Sequence, residues 1–189
     1  MINVFLVHGS FGKPFENWFP WLESELEKRD ISCVIPTFPT PNHQTFADWE
    51  YLMDYYCNLG IVNSETILIG HSCGSIFLVN YLLKHKVQVA GLITVSGYNK
   101  FISGNKMMDD LNSSFYTDVS IPDIKKCVKN IISFYGNDDP NIPCDILSEF
   151  AKSIDAKEIV VPKAGHFNAT AEFITCDVVL NAIESNFTI

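Results

Sequence analysis

Apolar positions along the chain fall into two kinds of run. Six short segments are almost continuously apolar and rich in β-branched residues: 2–7 (INVFLV), 32–35 (SCVI), 66–69 (TILI), 89–95 (VAGLITV), 130–135 (NIISFY) and 158–161 (EIVV). Each reads as a strand. Between and after them the apolar residues recur at helical spacing, first as Trp18, Trp21, Leu22 and Leu26 ahead of EKRD, then over 46–59, 76–83, 146–154 and 171–187. Strands that are apolar on both sides and alternate with helices predict an α/β fold, a mostly parallel six-stranded sheet with helices on both faces. The one long break in the alternation, 96–122, mixes Phe101, Met107, Met108, Leu111, Phe115 and Tyr116 with polar residues and is too short for a cap domain. It reads as an excursion of one domain spanning 1–189.

In such a sheet ligands bind beyond the carboxyl ends of the strands. Four segments there carry chemistry-bearing residues: HGSF after the first strand, GHSCG after the third, GNDDPNIP after the fifth and KAGHF after the sixth. Gly70-His71-Ser72-Cys73-Gly74 fits G-x-S-x-G between a strand and a helix, the setting of a nucleophile elbow. There the serine takes a strained backbone conformation, and its neighbours two residues away must lack side chains. The plainer alternative is a glycine turn with Ser72 capping the next helix.

A serine hydroxyl needs a base within hydrogen-bond reach. His166 has the right address, after the last strand, with Gly165 allowing a tight bend. His43 and His85 do not, and His71, at the variable position of the motif, reads as a packing residue. The base needs an orienting carboxylate, and Asp138 and Asp139 both follow the fifth strand. An oxyanion hole needs two main-chain N–H donors, here from Cys73 after the nucleophile and from Ser10 in the loop after the first strand. His8 reads as a brace for that loop.

Composition narrows the picture. Thirteen basic against 22 acidic residues give a net charge of −9, which disfavours nucleic acid and anionic membrane surfaces. No stretch approaches the roughly 20 apolar residues of a membrane span, and MINVFLV reads as a first strand rather than a signal peptide, which predicts a cytoplasmic protein. The six cysteines lie at irregular spacing with no C-x-x-C and read as reduced thiols. There is no P-loop lysine, no G-x-G-x-x-G and no H-E-x-x-H, so neither a cofactor nor a metal is expected.

The segment 136–143 resembles the G-x-x-D-x-x-[VI]-P acid loop of α/β-hydrolases, a register that selects Asp139 over Asp138. More closely, VFLVHGSFG, NWFPWLESELEKR, PTFPTPNHQTFADW, LIGHSCGS, VSGYNK and KAGHF resemble, in order and spacing, the small, lidless serine hydrolases of the YdeN and retinoblastoma-binding protein 9 family. The resemblance implies a trimmed α/β-hydrolase fold, carboxylic-ester hydrolysis, and a triad on Ser72, Asp139 and His166. The L-x-C-x-E sequence associated with pocket-protein binding is absent around all six cysteines, so that partner is not carried over. The expected partner is a small ester substrate; a binding protein that kept a hydrolase pocket is the alternative.

Overall fold

Every apolar run becomes a strand of one sheet. In a computed structural model, which describes residues 2–102 and 104–187, the strands are β1 (Asn3–Val7), β2 (Ser32–Val34), β3 (Thr66–His71), β4 (Gly91–Val95), β5 (Asn130–Gly136) and β6 (Lys157–Val161). They are parallel throughout and ordered β2-β1-β3-β4-β5-β6. Seven α-helices accompany them among the described residues: α1 (Phe19–Glu27), α2 (Phe46–Asn58), α3 (Cys73–His85), α4 (Lys106–Asn112), α5 (Ile121–Cys127), α6 (Cys144–Ser153) and α7 (Asp177–Asn186).

Alternate side chains of each strand enter two separate cores, which is why the runs look continuously apolar. Val4, Leu6, Ile67, Ile69, Ile93 and Val95 pack with Leu22 and Leu26 of α1 and Val179 and Ile183 of α7. Phe5, Val7, Leu68 and Leu92 pack on the other face with Trp49 and Met53 of α2, Phe77 of α3, Ile124 of α5 and Leu147 of α6.

From β1 the chain winds one way through α1 to the edge strand β2. It then crosses back through α2 to β3 and continues in the opposite direction. Winding therefore reverses between β1 and β3, and reversal opens a crevice at their carboxyl ends. The segments HGSF, GHSCG, GNDDPNIP and KAGHF all lie at that end of the sheet.

Three elements differ from the periodicity. Helix α3 starts at Cys73, immediately after Ser72, because it is buried on nearly every side and shows no polar stripe to mark its first turn. Residues 171–176 are not α-helical: Ala169–Ala171 form a short 3₁₀ turn capped by Asn168, and Glu172 is left-handed at φ 63°, so α7 begins at Asp177. The excursion contains α4 and leads into α5, seven residues each, too short to show a helical period. It lies against the domain and forms no cap. Among the described residues no helix is long and apolar enough to cross a membrane.

Helix α3 crosses β1 at Gly74, where an added Cβ would stand 2.5 Å from the Val7 carbonyl oxygen and 2.7 Å from that of His8. Both are main-chain atoms that cannot rotate away. Alanine is the better helix former by about 1 kcal/mol, yet Gly74→Ala should lower stability by about 1–3 kcal/mol through overpacking. Urea denaturation tests this, and a raised or unchanged midpoint contradicts it.

Candidate active site

At the end of β3 the chain turns abruptly into α3 with Ser72 at φ 55° and ψ −128°. A side chain at this positive φ is strained by about 1–3 kcal/mol. Three glycines make the turn sterically open. A Cβ at Gly70 would meet Ser75 Cα at 2.5 Å, one at Gly74 the carbonyls of β1, and one at Gly9 the Cβ of Ser72 at 2.7 Å. The turn is held by Ser72 N–H donating to Val95 O (2.8 Å) and Ser75 Oγ donating to Gly70 O (2.8 Å). Ser72 occupies the N-cap position of α3, but its hydroxyl makes no capping bond. The oxygen is left for the cavity in front of it, which disposes of the capping alternative.

His166 donates from Nδ1 to Asp139 Oδ2 at 2.7 Å, and the Asp139 side chain is fully buried. The other oxygen of Asp139, Oδ1, accepts the main-chain N–H groups of Asn141 (2.8 Å) and Ile142 (3.1 Å). Proline at 140 and this local turn aim the carboxylate inward. Asp138 is exposed and takes a different partner, accepting Gly165 N–H at 3.0 Å. It therefore ties the acid loop to the histidine loop.

Two further bonds fix that loop. His71 Nε2 donates to the His166 carbonyl (2.9 Å), and Trp18 Nε1 donates to the Phe167 carbonyl (3.0 Å). The packing role read for His71 from sequence is thus incomplete, since the side chain also holds the main chain of His166. Trp18, from NWFPWL, spans 149 residues to do the same. That segment was the sequence signal for it, though the role itself was not legible.

Ser10 and Cys73, the expected N–H donors, lie side by side, with Ser10 Oγ 3.3 Å from Cys73 Sγ. Buried His8 supports the Ser10 loop as expected, donating from Nδ1 to Gly9 O (2.8 Å) and accepting Phe38 N–H at Nε2 (3.0 Å). These partners require the neutral ring. Burial pushes the His8 pKa down, and burial followed by the neighbouring His166 pushes that of His71 down to about 3.

Two cavities meet at Ser10, Phe11, Ser72, His166 and Asn168. The larger, about 340 Å³, is walled by Tyr98, Ile102, Met107, Met108 and Ile142. The smaller, about 190 Å³, has polar walls that include Glu16, Asn17 and Thr170. Of the excursion's apolar residues, Met107 and Met108 line the larger cavity, while Phe115 is buried in the core. Among the described residues no cluster of His, Cys, Asp or Glu could hold a metal ion, and all six cysteines are free.

The two neutral histidines link stability to pH. Their folded pKa values lie below the ordinary 6.5, so between those values the unfolded chain binds more protons than the folded one. Stability is then full above about pH 6.5 and declines as pH falls towards 3. His71→Gln keeps an N–H donor without the titration and should flatten the fall in Tm between pH 7 and 4. An unchanged slope contradicts the assignment.

A strained serine and a histidine–carboxylate pair open into the same cavities, beside the adjacent residues Ser10 and Cys73. Known proteins resemble this chain over most of its length. The ydeN gene product of Bacillus subtilis is 27% identical over 187 residues, covering 98% of this chain and 96% of its own. Its crystal structure superposes with a TM-score of 0.87 at 25% identity, covering 98% of each chain. Serine hydrolase RBBP9 of Rattus norvegicus is 30% identical over 156 residues, 81% of this chain and 79% of its own. The model of the family described as Serine hydrolase matches residues 4–185. That stretch runs from β1 into α7 and includes every strand and loop that places Ser72, Asp139 and His166, and the chain belongs to the serine hydrolase family.

Proposed function

We propose that this chain hydrolyses carboxylic esters through an acyl-enzyme on Ser72, with thioesters and amides open to the same chemistry. The observation that carries the reading is the Asp139–His166 pair opening into the same cavities as a strained serine whose hydroxyl makes no capping bond to its helix. Ser72 Oγ attacks the carbonyl carbon as His166 Nε2 accepts its proton. Asp139 holds Nδ1–H and stabilises the imidazolium. The main-chain N–H groups of Ser10 and Cys73 receive the negative charge on the carbonyl oxygen. His166 returns the proton to the leaving alcohol, and water then repeats the sequence to release the acid.

The larger, apolar cavity suits the acyl group. Each methylene buried there contributes about 0.8 kcal/mol, roughly fourfold in specificity, until the cavity is full. Its wall residue Met107 is 64% exposed, so the site opens to solvent without a lid. Longer chains would gain nothing beyond it.

Variants of three residues test the roles. Ser72→Ala should fold and lose about 10⁴-fold or more in turnover on a nitrophenyl ester, since triad members act as a unit. Asp139→Asn should lose about a thousandfold, because the wrong histidine tautomer is then favoured. Asp138→Asn retains an oxygen to accept Gly165 N–H and should stay within about tenfold of the parent. A Ser72→Ala enzyme within tenfold of the parent would sink the reading, and a reversed ranking of the aspartates would move the acid to Asp138.

A further inference from the structure

Behind the two candidate oxyanion donors lies a buried polar network that the reaction as written does not use. Gln44 and Asn112 are 4% and 0% exposed, and they come from the segment before α2 and the end of α4, far apart in sequence. Gln44 Nε2 donates to Ser10 Oγ and to Asn112 Oδ1, both at 2.7 Å. Ser10 Oγ donates in turn to Asn112 Oδ1 at 3.0 Å. Having spent its hydrogen there, Ser10 Oγ is left to accept from the Cys73 thiol at 3.3 Å. Burial pushes that thiol's pKa up to about 12 and keeps its proton in place.

The ends of the network are equally determined. Thr40 Oγ1 accepts Phe11 N–H at 2.7 Å and passes its own hydrogen to Gln44 Oε1. Asn112 Nδ2 donates to Tyr98 Oη and to the Met108 carbonyl, each at 2.9 Å. Every donor and acceptor of both amides is thereby matched. A buried network satisfied at every position is rigid, and loss of one member leaves several groups unpaired.

The placement of this network decides what it does. Ser10 and Phe11 are consecutive residues of the loop that carries one N–H donor, and Phe11 is held at φ 59°. Cys73 carries the other donor. Tyr98 and Met108, at the far end, wall the apolar cavity. We infer that Gln44 and Asn112 are positioning residues that hold the Ser10 and Cys73 N–H groups at oxyanion distance and lock the apolar cavity wall to them. This rests on the proposed hydrolase mechanism. The oxyanion charge develops in the transition state and not in bound substrate, so the network should act on kcat and leave KM nearly alone.

Gln44→Met and Asn112→Leu remove the polar contacts while keeping side chains of similar length. Active sites are titrated with a fluorophosphonate, so that a smaller folded fraction is not mistaken for slower turnover. Per titrated site, kcat on nitrophenyl butyrate should fall about tenfold to a hundredfold, with KM within about threefold. The inhibition constant of a trifluoromethyl ketone, which forms an anionic tetrahedral adduct, should rise by a similar factor. Thr40→Val, at the partly exposed end, supplies the same readouts if a buried variant fails to fold. Parental kcat per site in the variants that fold, or a change confined to KM, overturns the inference. Ser72→Ala separates the two levels. Activity surviving that change removes the mechanism itself, whereas its loss alongside parental turnover in the network variants removes only the positioning role.

Discussion

Ser72 is held in a backbone conformation that an ordinary residue adopts only at a cost of about 1–3 kcal/mol, and the arrangement of the site follows from that constraint. The turn is feasible only because Gly70, Gly74 and Gly9 present no Cβ to Ser75, to β1 and to Ser72. The same bareness lets α3 sit directly on the carbonyls of Val7 and His8, so the loop after β1 and the turn after β3 are forced into contact. Ser10 and Cys73 become neighbours as a consequence of packing, not of any interaction specific to substrate. The burial of α3 in the larger core offsets the strain, and stability and reactivity share one set of atoms there.

The histidine is placed by a different principle. Its loop is fixed by four separate bonds, from Asp139 to the ring, Asp138 to Gly165, His71 to the His166 carbonyl and Trp18 to the Phe167 carbonyl. Three histidines lie within this region, and their partners distinguish them. His8 and His71 have main-chain partners and are held neutral by burial. His166 alone of the three has a carboxylate on its ring and lines both cavities. These partners set one imidazole apart as the proposed base, and the chain's membership in the serine hydrolase family is the context for that proposal.

The sheet was legible because burial on both faces leaves a local mark, a run of β-branched and apolar residues at each strand. The Ser72 turn was legible for a similar reason, since its strain demands glycines at fixed offsets. Asp139 stands out in the sequence only through the resemblance of its loop to a family register, as two adjacent aspartates look alike until Asn141 and Ile142 turn one of them inward. The supports of the site were not legible. The bonds of Trp18 to Phe167 and of Gln44 to Asn112 join residues with no sequence pattern between them, and a buried tryptophan or glutamine advertises no partner. Helices α4 and α5 were missed because seven residues complete fewer than two turns.

The proposed chemistry requires the fold to activate one serine among many. Incubation of the folded chain with a fluorophosphonate, followed by peptide mass mapping, measures this directly. Stoichiometric phosphonylation is expected at Ser72, abolished by prior unfolding and greatly slowed in His166→Ala. A folded chain that takes up no label, or labels at a serine other than Ser72, would contradict it.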